Sequence, residues 1–530
     1  MDEKKKVTKA AGKMSGGTFI SRITGFTRDI VIAKFFGATG FTDAFFVAYR
    51  IPNLLRELFA EGSISAGFVP IFTEYLTREG KEEAKKLAGV IFAFLLSILL
   101  IVCFFGILLA PYIASVVARG FLPDPEKFSL TVKLIRIMFP FLIFISLAAL
   151  AMGTLNSLRS FFVPAIAPAL FNLAIIASAL FLAPGFSVPI LAVGLGVTIG
   201  GALQYGVQVI ALAKKGFNLK PVFSFFHPGL KKIILLVLPV VAAMGAIQLN
   251  VLISNLFSTY LPEGSATYLY YGWRLTHFPI GIFAIAIAMA LLPSLSEQAA
   301  KGNMTALRDT FSFSLRLLFF MTIPAMAGLI AMSKPIINVL FQRGGFTYEA
   351  TEGTAYALLF YSTGIWAFAG LRVVRTAFYS MQDTKTPLKI AILSVLTNTI
   401  FSLILMGPLK HGGLALANTI AAVVNFCALF FLLRNRLGRV DGRKIVISFI
   451  KVSVASAVMG FVGWLTLRGN MWCAPEQCTL WMQSGKTVEK AVILAGVIGL
   501  CIAIYIFIMY LMKSEELKYL INIRKKKNDS

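Results

Sequence analysis

Arginine side chains interrupt the apolar segments of this sequence at positions where a charge is costly. Four of these arginines are candidates for binding a ligand, namely Arg22, Arg28, Arg56 and Arg274. An arginine at the centre of a membrane helix costs about 2.5–3.5 kcal/mol on insertion scales, and it therefore usually faces a water-filled cavity or a charged partner. A guanidinium group donates paired hydrogen bonds to phosphate oxygens. This pattern predicts a cationic cavity that binds a phosphate-bearing ligand.

Acidic and amide residues and one further arginine accompany these four arginines and are candidates for a supporting wall of the cavity. The five supporting candidates are Asp29, Asp43, Arg50, Asn53 and Glu57. On a regular helix Asp43, Arg50 and Glu57 share one face with Glu61, and Pro52 predicts a bend beside Arg50.

Two interpretations of these charges stay open at this point. In the first, the acids pair with the arginines and only lock neighbouring helices together. In the second, charge is left over, because five arginines face four acids and Arg274 has no acid in its own segment before Glu297. A surplus of cations at membrane depth predicts an anionic ligand.

Arg372 and Arg375 lie one helical turn apart, shortly before the polar end of an apolar segment at Gln382. They form a candidate entry patch for the ligand. Alternatively, their long side chains only reach the membrane surface from within the segment.

The sequence lacks the motifs of ATP-driven transporters and of metal-dependent membrane enzymes. No complete phosphate-binding loop occurs, and the three histidines are scattered at His227, His277 and His411. We therefore expect a transporter and not an enzyme, with no metal and no cofactor, and the identity of a coupling ion stays open.

Cys473 and Cys478 could close a disulfide if their loop faces an oxidising compartment.

Composition indicates the elements that must position these residues. Of 530 residues, 58% are apolar, which is typical of an all-α integral membrane protein that crosses the bilayer many times. Fourteen segments are long and apolar enough to be transmembrane helices. They lie near residues 15–37, 43–77, 85–117, 128–153, 160–183, 188–213, 231–260, 266–297, 305–333, 350–382, 385–407, 411–436, 444–467 and 488–512.

The distribution of basic residues predicts the orientation of these segments. The formal charge is +26, with 50 Lys and Arg against 24 Asp and Glu. With both termini in the cytoplasm, thirty Lys and Arg fall on the cytoplasmic side and seven on the other side, as expected for membrane proteins. The basic charge is therefore explained by topology and by membrane lipids, and we expect no nucleic-acid partner.

An internal repeat predicts the domain organisation. Arg50 in AYRIPN matches Arg274 in GWRLTH, and Pro164 in LRSFFVP matches Pro387 in QDTKTP, and the separation along the chain is the same for both pairs to within one position. A near-constant shift predicts two six-helix lobes related by a pseudo-twofold axis, a typical transporter architecture. We assign residues 1–228 to the first lobe, 229–440 to the second, and 441–530 to two additional helices with a basic cytoplasmic tail.

Several stretches of the chain resemble one bacterial transporter family. SRITGFTRDIVIAKFFGATGFTDAFFVAYRIPNLLRELFAEGSISAGFVPIFTEY, YYGWRLTHFP, FYSMQDTKTPLKIA and GPLKHGGLALA are similar to the lipid II flippases of the MurJ/MviN family. This family belongs to the multidrug/oligosaccharidyl-lipid/polysaccharide transporter superfamily. The resemblance runs from about residue 15 to residue 436 and more loosely over the last two helices.

The resemblance implies a fold, a substrate and a location. It implies fourteen helices around a cationic cavity, with Arg22, Arg28, Arg56 and Arg274 at the positions of cavity arginines in the family. It also implies movement of an undecaprenyl-diphosphate-linked peptidoglycan precursor from the inner to the outer leaflet of a bacterial cytoplasmic (inner) membrane, by alternating access. Candidate partners are cell-wall synthesis or division proteins. Other members carry acids where this chain has Trp273 and His277, which changes the charge balance around Arg274.

Two alternative functions are kept. The chain could flip another polyprenyl-linked saccharide, in which case a different lipid would accumulate on depletion. It could also be a non-transporting membrane scaffold for cell-wall synthesis, in which case reversing the charge of Arg28 or Arg274 would leave growth intact.

Overall fold

The computed structural model describes residues 3–58, 64–224, 226–438, 440–471 and 486–528. Within these residues the regular secondary structure is helical, with no strand, which confirms the all-α prediction. The chain divides into two compact units, Met1–Glu263 and Gly264–Ser530. The predicted division after residues 228 and 440 is a different partition, based on the repeat, and it stays a prediction.

The described residues of the first unit form ten α-helices. They are α1 Glu3–Phe36, α2 Gly40–Arg56, α3 Ile64–Arg78, α4 Lys81–Leu108, α5 Ala110–Val117, α6 Pro125–Met138, α7 Phe141–Ser157, α8 Phe162–Ala177, α9 Ile190–Lys214 and α10 Pro228–Ser258. Helix α8 packs between α1 and α9, and α2 packs against α6.

Small residues allow the close packing of α1, α8 and α9. A Cβ atom added at Gly17 of α1 would lie 2.8 Å from the Cβ of Ala165 in α8. One added at Gly200 of α9 would lie 2.8 Å from the carbonyl oxygen of Phe171 in α8. Glycines at such contacts are typical of membrane helices whose backbones approach each other closely.

In the second unit, the part of the chain that the structure describes forms ten further α-helices. They are α11 Ser265–Pro279, α12 Ile285–Ala300, α13 Met304–Ala331, α14 Ser333–Phe341, α15 Tyr348–Ser362, α16 Ile365–Ser380, α17 Lys385–Leu437, α18 Gly442–Met471, α19 Thr487–Leu511 and α20 Glu515–Asn528. Helix α13 packs against α18, and α16 packs against α12 and α17. Non-helical dihedral angles at Lys410 (φ 49°, ψ −131°) break α17 into two parts.

The C-terminal helix α20 is fastened to the second unit by a charged network. Arg316 of α13 donates to Glu515 at 2.6 Å and to Glu516 at 3.2 Å. Ser448 of α18 donates to Glu516 at 3.0 Å, and the Glu516 side chain is buried. Because Arg316 hydrogen-bonds Glu515, the pKa of the Glu515 carboxyl lies below its ordinary value.

Nine helical stretches among the described residues are long and apolar enough to cross a membrane. The number is ten if α15 and α16, which meet at a bend of 43°, form one span. The structure therefore supports a polytopic membrane protein, while the predicted count of fourteen stays a prediction.

The repeat found in the sequence recurs in the helix boundaries. The first residues of α4 and α13, Lys81 and Met304, have the same separation along the chain as their last residues, Leu108 and Ala331. Two rare backbone conformations follow the same shift, because Arg159 and Gln382 both have a positive φ, of 56° and 60°. Non-glycine residues seldom adopt this conformation, and its recurrence supports a common structural plan in the two halves of the chain.

Candidate functional site

Arg28 is held by a buried ion pair with its neighbour in the chain. Its Nη2 lies 2.6 Å from Oδ1 of Asp29, and its Nη1 donates to Oδ1 of Asn172 on α8 at 3.2 Å. Asp29 has no exposed surface and Arg28 is only 8% exposed. For this arginine, the structure favours the first of the two interpretations of the charges.

Asn172 links this pair to the backbone of α1. Its Nδ2 donates to the carbonyl oxygen of Ser21 at 3.3 Å. Because its amide oxygen also accepts from Arg28, Asn172 fixes the arginine relative to the helix that carries it. The sequence analysis missed Asn172, although a polar residue in an apolar segment is a signal of function or of helix contact.

Arg56 belongs to a second polar cluster at the end of α2. Its Nε donates to Oδ1 of Asn53 at 3.0 Å, and its Nη2 lies 3.8 Å from Oε1 of Glu57. Glu57 also accepts from Nδ2 of Asn53 at 2.8 Å and from the amide of Gln248 in α10. This cluster joins α2 to α10, and Gln248 is another residue that the sequence analysis missed.

Asp43 lies in a different environment from the predicted charged face. Its Oδ2 lies 3.4 Å from Nζ of Lys127 in α6, and the Asp43 side chain is buried. The Lys127 ammonium also lies 4.2 Å from the ring centroid of Phe121. Asp43 thus ties α2 to α6, a contact that spacing along α2 could not reveal.

The predicted charged face of α2 does not continue as one regular helix. The α-helix ends at Arg56, and a π-helical turn follows at residues 57–58. Glu61, which the pattern placed on the same face, lies outside the described residues, as do Cys473 and Cys478. Half-buried Arg50 lies two residues before Pro52, which is buried.

Arg22 differs from the other predicted arginines of the first unit. Its side chain is exposed, and it makes no ion pair with any carboxylate that the structure describes. Asp29, the acid nearest to it in sequence, pairs with Arg28, and Asp43 pairs with Lys127. A guanidinium group in this setting can bind an added anion without displacing a protein carboxylate.

Arg274 lies on α11 in the second unit and is also exposed. On the same helix the ring centroids of Trp273 and His277 are 4.1 Å apart, and the Trp273 ring packs against the rings of Tyr361 and Phe368. The two positions at which the family resemblance leads one to expect acids are therefore occupied by aromatic rings that contact each other. Neither side chain carries a negative charge, so these two positions do not place an acid beside Arg274.

Arg372 and Arg375 lie on α16. Arg372 is exposed and Arg375 is half-buried. The entry patch stays a prediction, and so does the alternative that these side chains only reach the membrane surface.

Over the described parts of the chain, no group of three or more His, Cys, Asp or Glu side chains could hold a metal ion.

The chain matches a known family over most of its length. The family model described as Lipid II flippase MurJ matches residues 32–475. A probable lipid II flippase MurJ from Vibrio cholerae serotype O1 is 34% identical over 515 residues, which cover 96% of this chain and 96% of that protein. A lipid II flippase MurJ from Burkholderia cenocepacia is 34% identical over 504 residues, which cover 94% and 96%.

Solved structures agree with the sequence comparison. The structure of a lipid II flippase MurJ in an inward closed conformation has a TM-score of 0.77 and 27% identity, and the match covers 94% of this chain and 98% of that one. An inward-facing multidrug resistance MATE family transporter has a TM-score of 0.68 and 14% identity, which shows a shared fold. The chain belongs to the lipid II flippase MurJ family.

Proposed function

We propose that this protein moves lipid II, an undecaprenyl-diphosphate-linked peptidoglycan precursor, from the inner to the outer leaflet of a bacterial cytoplasmic membrane. Support comes from the family match over residues 32–475 and from relatives that are named lipid II flippases. The proposed mechanism is alternating access, in which two halves of the protein rock about a central binding site.

The observation that carries this proposal is the state of Arg22. It is a cation in a helix of a membrane protein, its side chain is exposed, and no described carboxylate neutralises it. The lipid II diphosphate supplies the oxygen acceptors that a guanidinium group binds in pairs. We propose that Arg22 and Arg274 contact the anionic part of the substrate directly.

Arg28 and Arg56 have a different place in this proposal. Both already contact acids, Arg28 through Asp29 and Arg56 through Glu57. They would hold α1 and α2 in place beside the binding site, with the acids, Asn53 and Asn172 keeping their guanidinium groups in fixed positions. Asp43 would stabilise the first turn of α2 through Lys127.

The proposal includes the full topology predicted from the sequence. Fourteen transmembrane helices, two six-helix lobes and two additional C-terminal helices would place both termini in the cytoplasm. The break at Lys410 supports this count, because it divides α17 into two segments that match the predicted spans 385–407 and 411–436. The constant shift between the bounds of α4 and those of α13 supports the two lobes.

Transport without ATP needs another energy source. Moving one elementary charge across the membrane potential changes the free energy by about 2.3 kcal/mol per 100 mV. A substrate with a negatively charged diphosphate, carried by a cationic site, is subject to this field. We propose that membrane potential biases the transport cycle.

Depletion of the protein in a growing cell tests the identity of the substrate. The proposal predicts that lipid II accumulates in the cell as the protein is depleted. Over the same period, the amount of labelled lipid II that can be detected at the outer face of the membrane should fall. Accumulation of a different polyprenyl-linked saccharide, with lipid II export unchanged, would instead establish the alternative flippase.

The scaffold alternative is tested in the same cells by complementation. We expect an Arg22→Gln variant to insert at normal levels and fail to restore lipid II export. Lys34→Gln is the matched control, because Lys34 is an exposed cation on the same helix, and it should restore export. Full export by Arg22→Gln at normal protein levels would contradict the role of Arg22.

A further inference from the structure

The segment that joins α9 to α10 is strongly basic and has no acidic residue. We call residues 214–232, which are this connection together with the last residue of α9 and the first five residues of α10, the basic loop. It contains Lys214, Lys215, Lys220, Lys231 and Lys232, and neither Asp nor Glu occurs anywhere between residues 127 and 262. All five lysines are exposed, and none makes an ion pair with a carboxylate that the structure describes. The basic loop therefore carries five uncompensated charges.

The first half of the basic loop is fixed to the start of α4. Phe217 is 3% exposed, and the ammonium groups of Lys81 and Lys85 lie 5.3 and 5.9 Å from its ring centroid. The backbone N–H of Val222 donates to the carbonyl oxygen of Gly89 at 3.1 Å. Gly89 permits this approach, because an added Cβ would lie 2.5 Å from the carbonyl oxygen of Lys220.

Two aromatic side chains project from the loop beyond this attachment. Phe223 is 71% exposed and Phe226 is fully exposed. Phe226 and Lys231 line an open groove of about 310 Å³ together with His227, Leu230, Ile234 and Leu235. A large apolar side chain exposed beside several lysines is characteristic of a segment that inserts into the surface of an anionic membrane.

The attachment to α4 also determines the depth of this segment. Gly89 lies eight residues after Lys81, which is about 12 Å along the helix, and the apolar part of α4 begins there with Val90 and Ile91. On the other side of the loop, exposed Ile234 and Leu235 follow Lys231 and Lys232 after one buried residue, Ile233. Lys220, Lys231 and Lys232 therefore lie at the level where the apolar surface of the helices begins, which is the level of lipid headgroups.

We propose that the basic loop is a binding site for anionic phospholipid, in which Lys231 and Lys232 contact the headgroup phosphate and Phe223 and Phe226 insert between the acyl chains. The groove beside α10 holds the lipid, and the attachment to α4 keeps the loop at the depth that both contacts require. This site lies wholly within the first unit, and it does not depend on the identity of the transported substrate.

Photolabelling of the purified full-length protein tests the proposal. The probe is phosphatidylglycerol with a photoactivatable group close to its phosphate, added in detergent at subsaturating concentrations, and labelled peptides are identified by mass spectrometry. We expect labelling within residues 221–238 that unlabelled phosphatidylglycerol displaces and phosphatidylcholine does not. Each lysine near an anionic lipid contributes about fivefold in affinity, and the double variant K231Q/K232Q should bind the probe about 25-fold more weakly.

The matched control is K301Q/K444Q, which also removes two exposed positive charges. Both of these lysines already pair with acids, Lys301 with Glu297 and Lys444 with Asp441, so loop labelling should be unchanged. A second variant, F226S, should weaken labelling while leaving all charges in place. Equal labelling of the loop in K231Q/K232Q and in the unmodified protein would overturn the proposal, as would equally effective displacement by phosphatidylcholine.

Discussion

Arg28 and Asp29 show how neighbouring charges are stabilised inside a membrane protein. Their side chains are almost completely buried and 2.6 Å apart, and Asn172 accepts a further hydrogen bond from the arginine. A buried pair of this kind contributes little net stability, but removing one partner leaves an uncompensated charge. The pair is therefore sensitive to single substitutions.

We expect Asp29→Asn to lower the free energy of unfolding by about 3 kcal/mol, because buried Arg28 then loses the carboxylate that lies 2.6 Å from its Nη2. Thermal or denaturant unfolding in detergent measures this loss. The double variant R28Q/D29N should lose less than the sum of the two single variants, since both charges are absent. Strictly additive losses would show that the two side chains are not coupled.

Asp383 predicts a pH dependence of stability. It lies between α16 and α17, where the backbone N–H and hydroxyl of Thr386 donate to it at 3.0 and 2.7 Å and Arg436 at 2.5 Å. These hydrogen bonds, that from the Thr386 backbone foremost, lower the pKa of Asp383 from 3.8 to about 2. Because the folded pKa is depressed, its contribution is complete above pH 3.8 and is lost as the pH falls towards about 2.

The variant Asp383→Asn should lose this pH-dependent component and up to about 1 kcal/mol of stability at neutral pH, because it removes the ion pair with the half-exposed Arg436. Unfolding in detergent across the acidic range measures both effects. Asp309→Asn is the control, because Asp309 is exposed and makes no ion pair among the described residues. If Asp383→Asn keeps the full acid-dependent loss of stability, protonation of Asp383 is not its cause.

At the scale of single residues, the sequence indicated several residues that lie in polar clusters but not the partners they contact there, and their role in binding stays a prediction. Arg28, Asp29, Asn53, Arg56 and Glu57 all lie in polar clusters of the first unit. Their contacts with Asn172 and Gln248 were not predictable, because these depend on how α1 and α2 are rotated against α8 and α10.

At the scale of the helices, close packing depends on which glycines face a neighbouring backbone. Gly200 and Gly206 both lie on α9. A Cβ atom added at Gly200 would lie too close to the backbone of Phe171, whereas one added at Gly206 would have no atom of a described neighbouring residue within 4 Å. The two positions therefore separate the effect of contact from the effect of helix propensity.

We expect Gly206→Ala to raise the free energy of unfolding by about 0.5–1 kcal/mol, because alanine is the better helix former. Gly200→Ala should instead lower it by about 1–3 kcal/mol through overpacking against α8. Thermal unfolding of the two variants in the same detergent provides the comparison. Equal stabilisation by both substitutions would contradict the packing of α8 on α9.

Apolar periodicity predicted well where helices lie, but it predicted less well where a helix is broken. The predicted boundary near Lys410 coincides with a real break in α17. By contrast, the single predicted segment 85–117 is divided, since α4 ends at Leu108 and α5 begins at Ala110. Such a break between apolar residues leaves no trace in a hydropathy pattern, because both sides remain equally apolar.

At the scale of the whole molecule, the repeat and the charge distribution are the strongest sequence signals. The shift predicted from aligned residues recurs in the bounds of α4 and α13 and in the backbone at Arg159 and Gln382. The surplus of basic residues on one side of the predicted spans favours an orientation with both termini in the cytoplasm, which stays a prediction. Together with the family match, these features support a two-lobed transporter of an anionic lipid.

The central claim is that the exposed arginines Arg22 and Arg274 bind the diphosphate during transport. Purified protein reconstituted into vesicles, with fluorescent lipid II in one leaflet, measures its appearance in the other leaflet directly. A hydrogen bond to a charged group contributes about 1.5–3 kcal/mol, and we therefore expect Arg22→Gln and Arg274→Gln each to slow transfer about 10- to 100-fold, with Lys34→Gln unchanged. Transfer at the unmodified rate in both arginine variants would contradict the account.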